Sequence, residues 1–504
     1  MGETSVLVRR ARTIDTRQAL PIAIPAVAAF VMTVWNVGRP SMYGTEAVTK
    51  WAASLPLPSL FHVLMHVDAV HGAYYFVMHF VLLAGGGTFM LRLPSVIGMS
   101  VAAGLTAQLT RRLTGSNTAA LFAGLALAIA PLTTEYGQAG RSYAIDTAAS
   151  VITWSLFLTA VQHRTAPPHA WRNYTIAVAL TAYLHEMTLL VIAAQLVTLV
   201  WARAPRSTWL RWTRAVFWAV VLSIPLLVAS FVQSRQVNWI RPANLATIRA
   251  AYRNFFGPGT HAIWLNGVLV GVCVLVALAT EARRSGVTLV GLALPILVVS
   301  PMLLILESMV STPLYGGIRY VIWALPAVAM LIGTGLDQVV RALFPLRIRM
   351  VGVLVGVGVL VASLSSQWSL QKLVHSTAGS PQDLLAAATY LHEHELAGDG
   401  VVFSPRSYYA VRLGYPDDVR VLRDLVLGHS PRAAGRLYGT ETSNAAIYKA
   451  VYGSRRVWLV GTNTPAVGRR PELIALARGF HLVSQHHVTG IEISLYERNV
   501  RATA

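Results

Sequence analysis

Tyr43-Gly44-Thr45-Glu46-Ala47, followed by His66-Val67-Asp68-Ala69-Val70-His71-Gly72-Ala73-Tyr74-Tyr75, is the stretch on which the reading of this chain turns. It places two carboxylates and, with His62, three imidazoles just after an apolar run long enough to span a bilayer. Ionisable groups at a membrane are costly and mark function when they face the protein interior. The background makes them conspicuous, because 55% of the 504 residues are hydrophobic and only 12% are charged. No class of soluble protein has that composition. The chain therefore reads as an α-helical polytopic membrane protein, and the segment reads as chemistry at the membrane surface. An ordinary solvated loop is the alternative reading of the same residues.

Working outward, Arg9, Arg10, Arg12 and Arg17 precede an apolar stretch from about Leu20 to Val37, the charge order of a retained signal-anchor. Further apolar windows centre near residues 102, 125, 153, 179, 195, 223, 271, 296, 328 and 359, which with the first makes eleven expected spans. The formal charge of +20 would suit nucleic acid, but the arginines fall in short clusters between apolar runs, where topology signals sit. Nucleic acid is excluded as a partner on that ground. Cys273, the one cysteine, lies inside an apolar run and reads as a small buried hydrophobe.

Sidedness depends on Tyr74 to Met90. If this stretch does not cross, Arg111-Arg112, His163-Arg164 with Arg172, Arg203 with Arg206, Arg211 and Arg214, Arg283-Arg284, and Arg341 with Arg347 and Arg349 all fall on the side of the N-terminus. Cytoplasmic loops collect Lys and Arg, so Tyr74 to Met90 reads as interfacial or re-entrant, with Tyr74, Tyr75 and Phe76 at headgroup level. The same topology puts Glu135 to Asp146, His185-Glu186, Gln233 to His261 and Glu307 to Arg319 outside, on one face.

Composition divides the chain into a cytoplasmic N-terminus (1–19), a transmembrane domain (20–368) with a first external loop (38–93), and an extracytoplasmic region (369–504). The last region has a helical pattern from Ser380 to Leu396, buried-strand patterns at Gly400 to Phe403, Val419 to Leu422 and Arg456 to Val460, and a helix from Glu472 to Arg478. It is large enough to fold as a small α/β domain. It carries no phosphate loop, metal spacing or nucleophile elbow, and reads as a lid or docking domain.

Transfer of a sugar from a lipid phosphate to a hydroxyl needs a carboxylate for the acceptor's proton and cations for the leaving phosphate. Asp68 and Glu46 are the carboxylates of the first loop, Asp68 as base or as support for it and Glu46 orienting the acceptor. Arg141, in Gly140-Arg141-Ser142-Tyr143, and Arg319, in Gly317-Ile318-Arg319-Tyr320, each begin an apolar span and present a fork to phosphate oxygens. Snorkelling to headgroups is the alternative for both. His71, Tyr143, His185 and Tyr320 complete the candidate substrate contacts, with Trp239, Arg241 and Tyr252-Arg253 as further acceptor or headgroup contacts. No cofactor is expected and no histidine and acid set has metal-ligand spacing, although the carboxylates of this loop could bind a divalent metal, which a monophosphate donor does not require.

The ordered segments Gly44-Thr45-Glu46-Ala47-Val48-Thr49, Val67 to Tyr75, Leu91-Arg92-Leu93-Pro94-Ser95, Arg141-Ser142-Tyr143-Ala144, and Arg319-Tyr320-Val321 with Leu325-Pro326-Ala327 resemble actinobacterial membrane glycosyltransferases of the GT-C fold. These are related to protein O-mannosyltransferases and to the aminoarabinose transferases of lipid A. The resemblance implies a GT-C-like bundle of about eleven transmembrane helices with a small extracytoplasmic α/β domain. It also implies an inverting, plasma-membrane transferase that uses a polyprenyl-phosphate sugar, mannose above all, and a glycan, glycolipid or protein acceptor of the cell envelope. Its members carry Asp-Glu early in the first loop, where this chain has Thr45-Glu46. Three readings stay open: Asp68 or Glu46 has taken the role of base, the chemistry tolerates the loss, or the chain is a degenerate member that binds lipid or assembles envelope without catalysis. A transporter is disfavoured, because transporters show internal repeats and midplane charges.

Overall fold

The computed structural model describes residues 16–162, 168–257, 259–281, 286–311, 313–462 and 470–499. Arg9, Arg10, Arg12, His163-Arg164 and Arg283-Arg284, which entered the sidedness argument, lie outside them. The chain begins with α1 (Thr16–Val34) and three short helices, α2 (Gly44–Ala53), α3 (Leu57–His66) and α4 (Gly72–Leu83). The bundle continues with α5 (Thr88–Thr114), α6 (Asn117–Ile129), α7 (Pro131–Gly137), α8 (Tyr143–Gln162), α9 (Pro168–Leu184), α10 (Val191–Trp201) and α11 (Arg206–Val232). It is completed by α12 (Leu245–Phe256), α13 (Thr260–Glu281), α14 (Leu289–Val310), α15 (Leu325–Leu343) and α16 (Arg349–Ser366).

Each of the eleven apolar windows falls on a helix, yet the spans reduce in number. Among the described residues seven helices are long and apolar enough to cross, or eight if α6 and α7 form one bent span. Ala19–Val34 and Glu186–Trp201 are shorter, and a hydropathy window does not distinguish a short helix among neighbours from a full crossing. The stretch Tyr74 to Met90 is shared between α4 and α5. With 12 residues α4 is roughly 18 Å long at about 1.5 Å per residue, less than a bilayer core of about 30 Å.

α15 is the axis of the bundle, with 89% of its apolar window buried against 17% for α16. It accepts close neighbours because Gly333 and Gly335 lack side chains: a Cβ would lie 2.1 Å from the Ala123 nitrogen at the first and 2.0 Å from the Leu269 oxygen at the second. Small residues at helix contacts do this in membrane bundles generally. Between α6 and α7 the chain turns by 60° at Pro131. Proline has no N–H to give the Leu127 carbonyl, and the Thr133 hydroxyl takes that acceptor instead at 2.6 Å. The bend delivers the chain to Gln138-Ala139-Gly140-Arg141.

After α17 (Trp368–Val374) and α18 (Leu384–His394) comes a five-stranded sheet: β1 (Gly400–Ser404), β2 (Arg423–Asp424), β3 (Arg456–Gly461), β4 (Phe480–Val488) and β5 (Ile491–Arg498). Its order is β2-β1-β3-β5-β4, with β1 parallel to β2 and β3, and β5 antiparallel to β3 and β4. The strand expected at Val419 to Leu422 is a turn, and β2 begins at Arg423. The hairpin of β4 and β5 escaped the sequence reading because β4 is half polar and solvent-facing, with Leu482 and Val483 exposed.

α2, α3 and α4 do not form a separate loop. Their apolar residues, including Ala47, Leu60, Tyr74 and Tyr75, join one hydrophobic cluster with Leu384, Val401, Phe403 and Trp458. Polar bonds run across the same contact: Gly44 N to Gln382 Oε1 (3.3 Å), Lys50 Nζ to the Gly414 carbonyl (2.7 Å) and Leu385 N to Ser41 Oγ (2.9 Å).

Candidate active site

α3 ends at His66, and two residues later Asp68 takes φ 62° and ψ 26°, a left-handed turn that aspartate tolerates better than most residues. The turn is held from outside. Gln236 Oε1 accepts the Asp68 N–H at 3.0 Å and Gln233 Oε1 accepts the Ala69 N–H at 2.9 Å, while Gln233 Nε2 donates to the Leu64 carbonyl at 2.8 Å. The short helix Ser234–Val237 that follows α11 thus clasps the backbone that presents Asp68.

The Asp68 carboxylate accepts a hydrogen bond from the Tyr75 hydroxyl through Oδ2, and its Oδ1 lies 3.9 Å from His71 Nε2. Tyr75 in turn accepts from Arg141 Nη1 at 3.1 Å, and the same nitrogen donates to Thr49 Oγ1 at 3.2 Å. Asp68, Tyr75 and Arg141 therefore form one buried chain of contacts. Rings extend it: Tyr143 lies 5.9 Å from His185, His185 lies 5.6 Å edge-on to Tyr320, and the Arg319 guanidinium sits 5.4 Å from Tyr320 and 5.3 Å from Trp239.

Among the described residues, four buried polar atoms of this cluster have no hydrogen-bond partner: Arg141 Nε, Arg319 Nε, His71 Nδ1 and His185 Nδ1. Such groups are ordinarily bonded, so a set of them converging on one place suits a polar ligand. Burial, followed by the charges of Arg141, His185 and Arg319, holds the His71 imidazole well below its usual range, and burial pushes His185 down to about 3. Both rings are neutral at physiological pH. Burial raises the Asp68 carboxyl, against the lowering pull of Arg141. Arg141 and Arg319 thus converge on His71 and His185, a concentration of positive charge suited to a phosphate.

Glu46 has another part. Its Oε1 accepts from Arg92 Nε (2.8 Å) and the Gly140 N–H (2.6 Å), and its Oε2 from Arg92 Nη2 (2.7 Å) and the Tyr43 N–H (3.4 Å). About four lone-pair positions exist on a carboxylate and all are taken, leaving none to orient an acceptor. Glu46 instead ties α2 to α5 and to the residue before Arg141. Thr45 is half-buried with its side chain at the Tyr43 hydroxyl, which lies in the field of Arg141 and Tyr143. Of the eight residues singled out from the sequence, Asp68, His71, Arg141, Tyr143, His185, Arg319 and Tyr320 come together, and Glu46 stands behind them.

Trp239 joins through Arg319, while Arg241 and Arg253 are exposed and the Tyr252 hydroxyl is spent on the Leu297 carbonyl at 3.3 Å. His62 and His66 pair with each other on the exposed side of α3. Sequence reasoning put Tyr74 and Tyr75 at headgroup level, whereas the structure buries both, gave Arg92 no role of its own, and missed Gln233 and Gln236. Arg92 carried a signal, because an arginine in an apolar span demands a partner.

Solved structures share this architecture. ArnT from Cupriavidus metallidurans, solved bound to undecaprenyl phosphate, aligns over 96% of this chain and 98% of its own with a TM-score of 0.64 at 14% identity. The chain has the GT-C fold. The GT-C likeness extends to the archaeal oligosaccharyltransferase AglB from Archaeoglobus fulgidus, solved with an inhibitory peptide and a dolichol-phosphate, at TM-score 0.54 and 12% identity over 94% of this chain and 73% of that one. Residues 71–232, which hold His71, Tyr75, Arg141, Tyr143 and His185, match the family model described as dolichyl-phosphate-mannose-protein mannosyltransferase. No curated protein matches the sequence. The GT-C fold accounts for a multi-pass membrane protein whose first loop lies beside the sheet-bearing C-terminal region.

Proposed function

We propose that this chain transfers a sugar, mannose as first candidate, from a polyprenyl-phosphate donor to a glycan, glycolipid or protein acceptor on the outer face of the plasma membrane. The observation that carries the reading is the gathering of Arg141 and Arg319, each with an unpartnered Nε, around His71 and His185, with the Asp68 carboxylate joined to Arg141 through Tyr75. The undecaprenyl phosphate of ArnT and the dolichol-phosphate of AglB support a lipid phosphate as the ligand, and the description of the matching family model supports mannose.

In this reading Asp68 Oδ1 takes the proton of the acceptor hydroxyl as its oxygen attacks the anomeric carbon. The bond from that carbon to the phosphate oxygen breaks, the electron pair leaves with the polyprenyl phosphate, and Arg141 and Arg319 stabilise the developing charge. One displacement inverts the anomeric centre. Tyr75 orients Asp68, and neutral His71 and His185 with Tyr143 and Tyr320 line the sugar. The N-terminus is cytoplasmic, and residues 38–93 and 369–504 are extracytoplasmic.

The test is transfer of radiolabelled mannose from polyprenyl-phosphate mannose in membranes holding the protein, against Asp68→Asn and Arg141→Ala. Loss in both variants supports the reading, and wild-type inactivity with mannose and arabinose donors sinks it. A second reading, a lipid-binding scaffold without catalysis, is favoured by Thr45 alone. Thr45→Asp separates the two: transfer gained or raised speaks for an enzyme weakened at this position.

A further inference from the structure

The segment between α11 and α13 carries Arg235, Arg241, Arg249 and Arg253, all exposed. No Asp or Glu occurs anywhere from Met187 to Thr280. Arg249 and Arg253 stand four residues apart and so share one face of α12, while Ala251 and Phe255 are buried on the opposite face. The helix is fastened to the bundle by the Tyr252 hydroxyl on the Leu297 carbonyl, an acceptor that Pro301 leaves without its helical donor. In the same segment and at the start of α13 three large apolar side chains stand in the open: Trp239 at 60% exposure, Leu245 at 75% and Trp264 at 71%.

Two arguments select the occupant. An outer loop with four arginines and no acid runs against the usual distribution of positive charge, so the charge calls for a local counterpart. A soluble polyanion would answer the arginines but leave the apolar groups in water, whereas the headgroup zone of a bilayer receives both. We propose that α12 and the turn before it dock on anionic phospholipid headgroups of the leaflet that faces the active site, and that this docking steadies Trp239 against Arg319. The lipid environment would then act on the arginine assigned to the donor phosphate. The outer placement of this loop, the choice of leaflet and this last step rest on the function proposed above.

The experiment uses the full chain in nanodiscs of phosphatidylcholine with about one third phosphatidylglycerol, followed by extraction into mild detergent and counting of retained lipid by mass spectrometry. Wild type is expected to retain phosphatidylglycerol several-fold above its share. Arg249→Gln with Arg253→Gln is expected to lose most of that enrichment, and the double lysine variant to keep it, which separates charge from misfolding. Equal enrichment in wild type and the glutamine variant overturns the proposal, as does no enrichment in either. Enrichment unchanged while a polyanionic glycan binds the wild type and not the variant overturns it in favour of a polymer partner. Because lipid is counted without turnover, a chain that shows no transfer still supports or overturns the docking surface. Where transfer is measurable, the donor KM of the wild type is expected to fall several-fold when phosphatidylglycerol is added, and that of the glutamine variant to stay flat.

Discussion

Asp68 joins two demands, a strained backbone and a buried carboxylate. If it is the base, Asp68→Asn should lower kcat about 100-fold or more, within the usual range for general-base removal, in the mannose transfer assay. Its pH dependence follows from burial. The carboxyl titrates above the ordinary value of about 3.9, and the ionised form is the active one, so transfer is full above the raised value and fades as pH falls through it. The acid limb of kcat/KM should therefore lie above that ordinary value, and residual activity in Arg141→Gln should show it displaced further upward, since Arg141 pulls it down. Gln236→Ala should free the Asp68 N–H, speed its hydrogen exchange and lower kcat more than it changes KM. Asp68, Arg141, His71, His185 and Arg319 were legible in the sequence because charge and imidazole stand out in an apolar chain. Tyr75 and the two glutamines were not, because a neutral side chain looks like background and Gln236 meets Asp68 across 168 positions of sequence.

At the scale of elements, the buried Glu46 and Arg92 pair fixes how α2, α5 and the turn before Arg141 meet. Arg92→Met leaves a carboxylate buried without its partner, a loss of about 3–5 kcal/mol. Joint replacement by Glu46→Met and Arg92→Met should cost less, and the difference is measured by thermal unfolding in detergent. Gly335→Ala puts a methyl where the Leu269 oxygen stands, and the overpacking should cost about 1–3 kcal/mol or more in the same assay. Every window of hydrophobicity fell on a bundle helix, though none marked α7 or α12, and the helix lengths depended on breaks such as Pro131 and on which neighbours cover them. Glu46 was misassigned for a related reason: its partner Arg92 lies 46 residues away in an apolar helix, where it resembles a headgroup contact.

For the whole molecule, the buried single cysteine makes sidedness accessible to labelling. In a Cys273→Ser background, Glu393→Cys should react with an impermeant maleimide from outside intact cells and Arg341→Cys should not; the reverse pattern would invert the topology and move the candidate site to the cytoplasm. Charge counting made this expectation possible, but it was blind to the shared core of α2, α3 and α4 with the C-terminal sheet, because no local pattern announces a partner so distant. That shared core has a consequence for biogenesis. Leu91 and Leu384 belong to one core but emerge roughly 300 residues apart, an interval of about 15 to 60 seconds at ordinary elongation rates of about 5–20 residues per second. Until the last segment is made, the Asp68 turn waits on a platform without its second half. A nascent or truncated chain should thus be inert as well as unfinished, and assembly itself acts as a timer on when the site first closes.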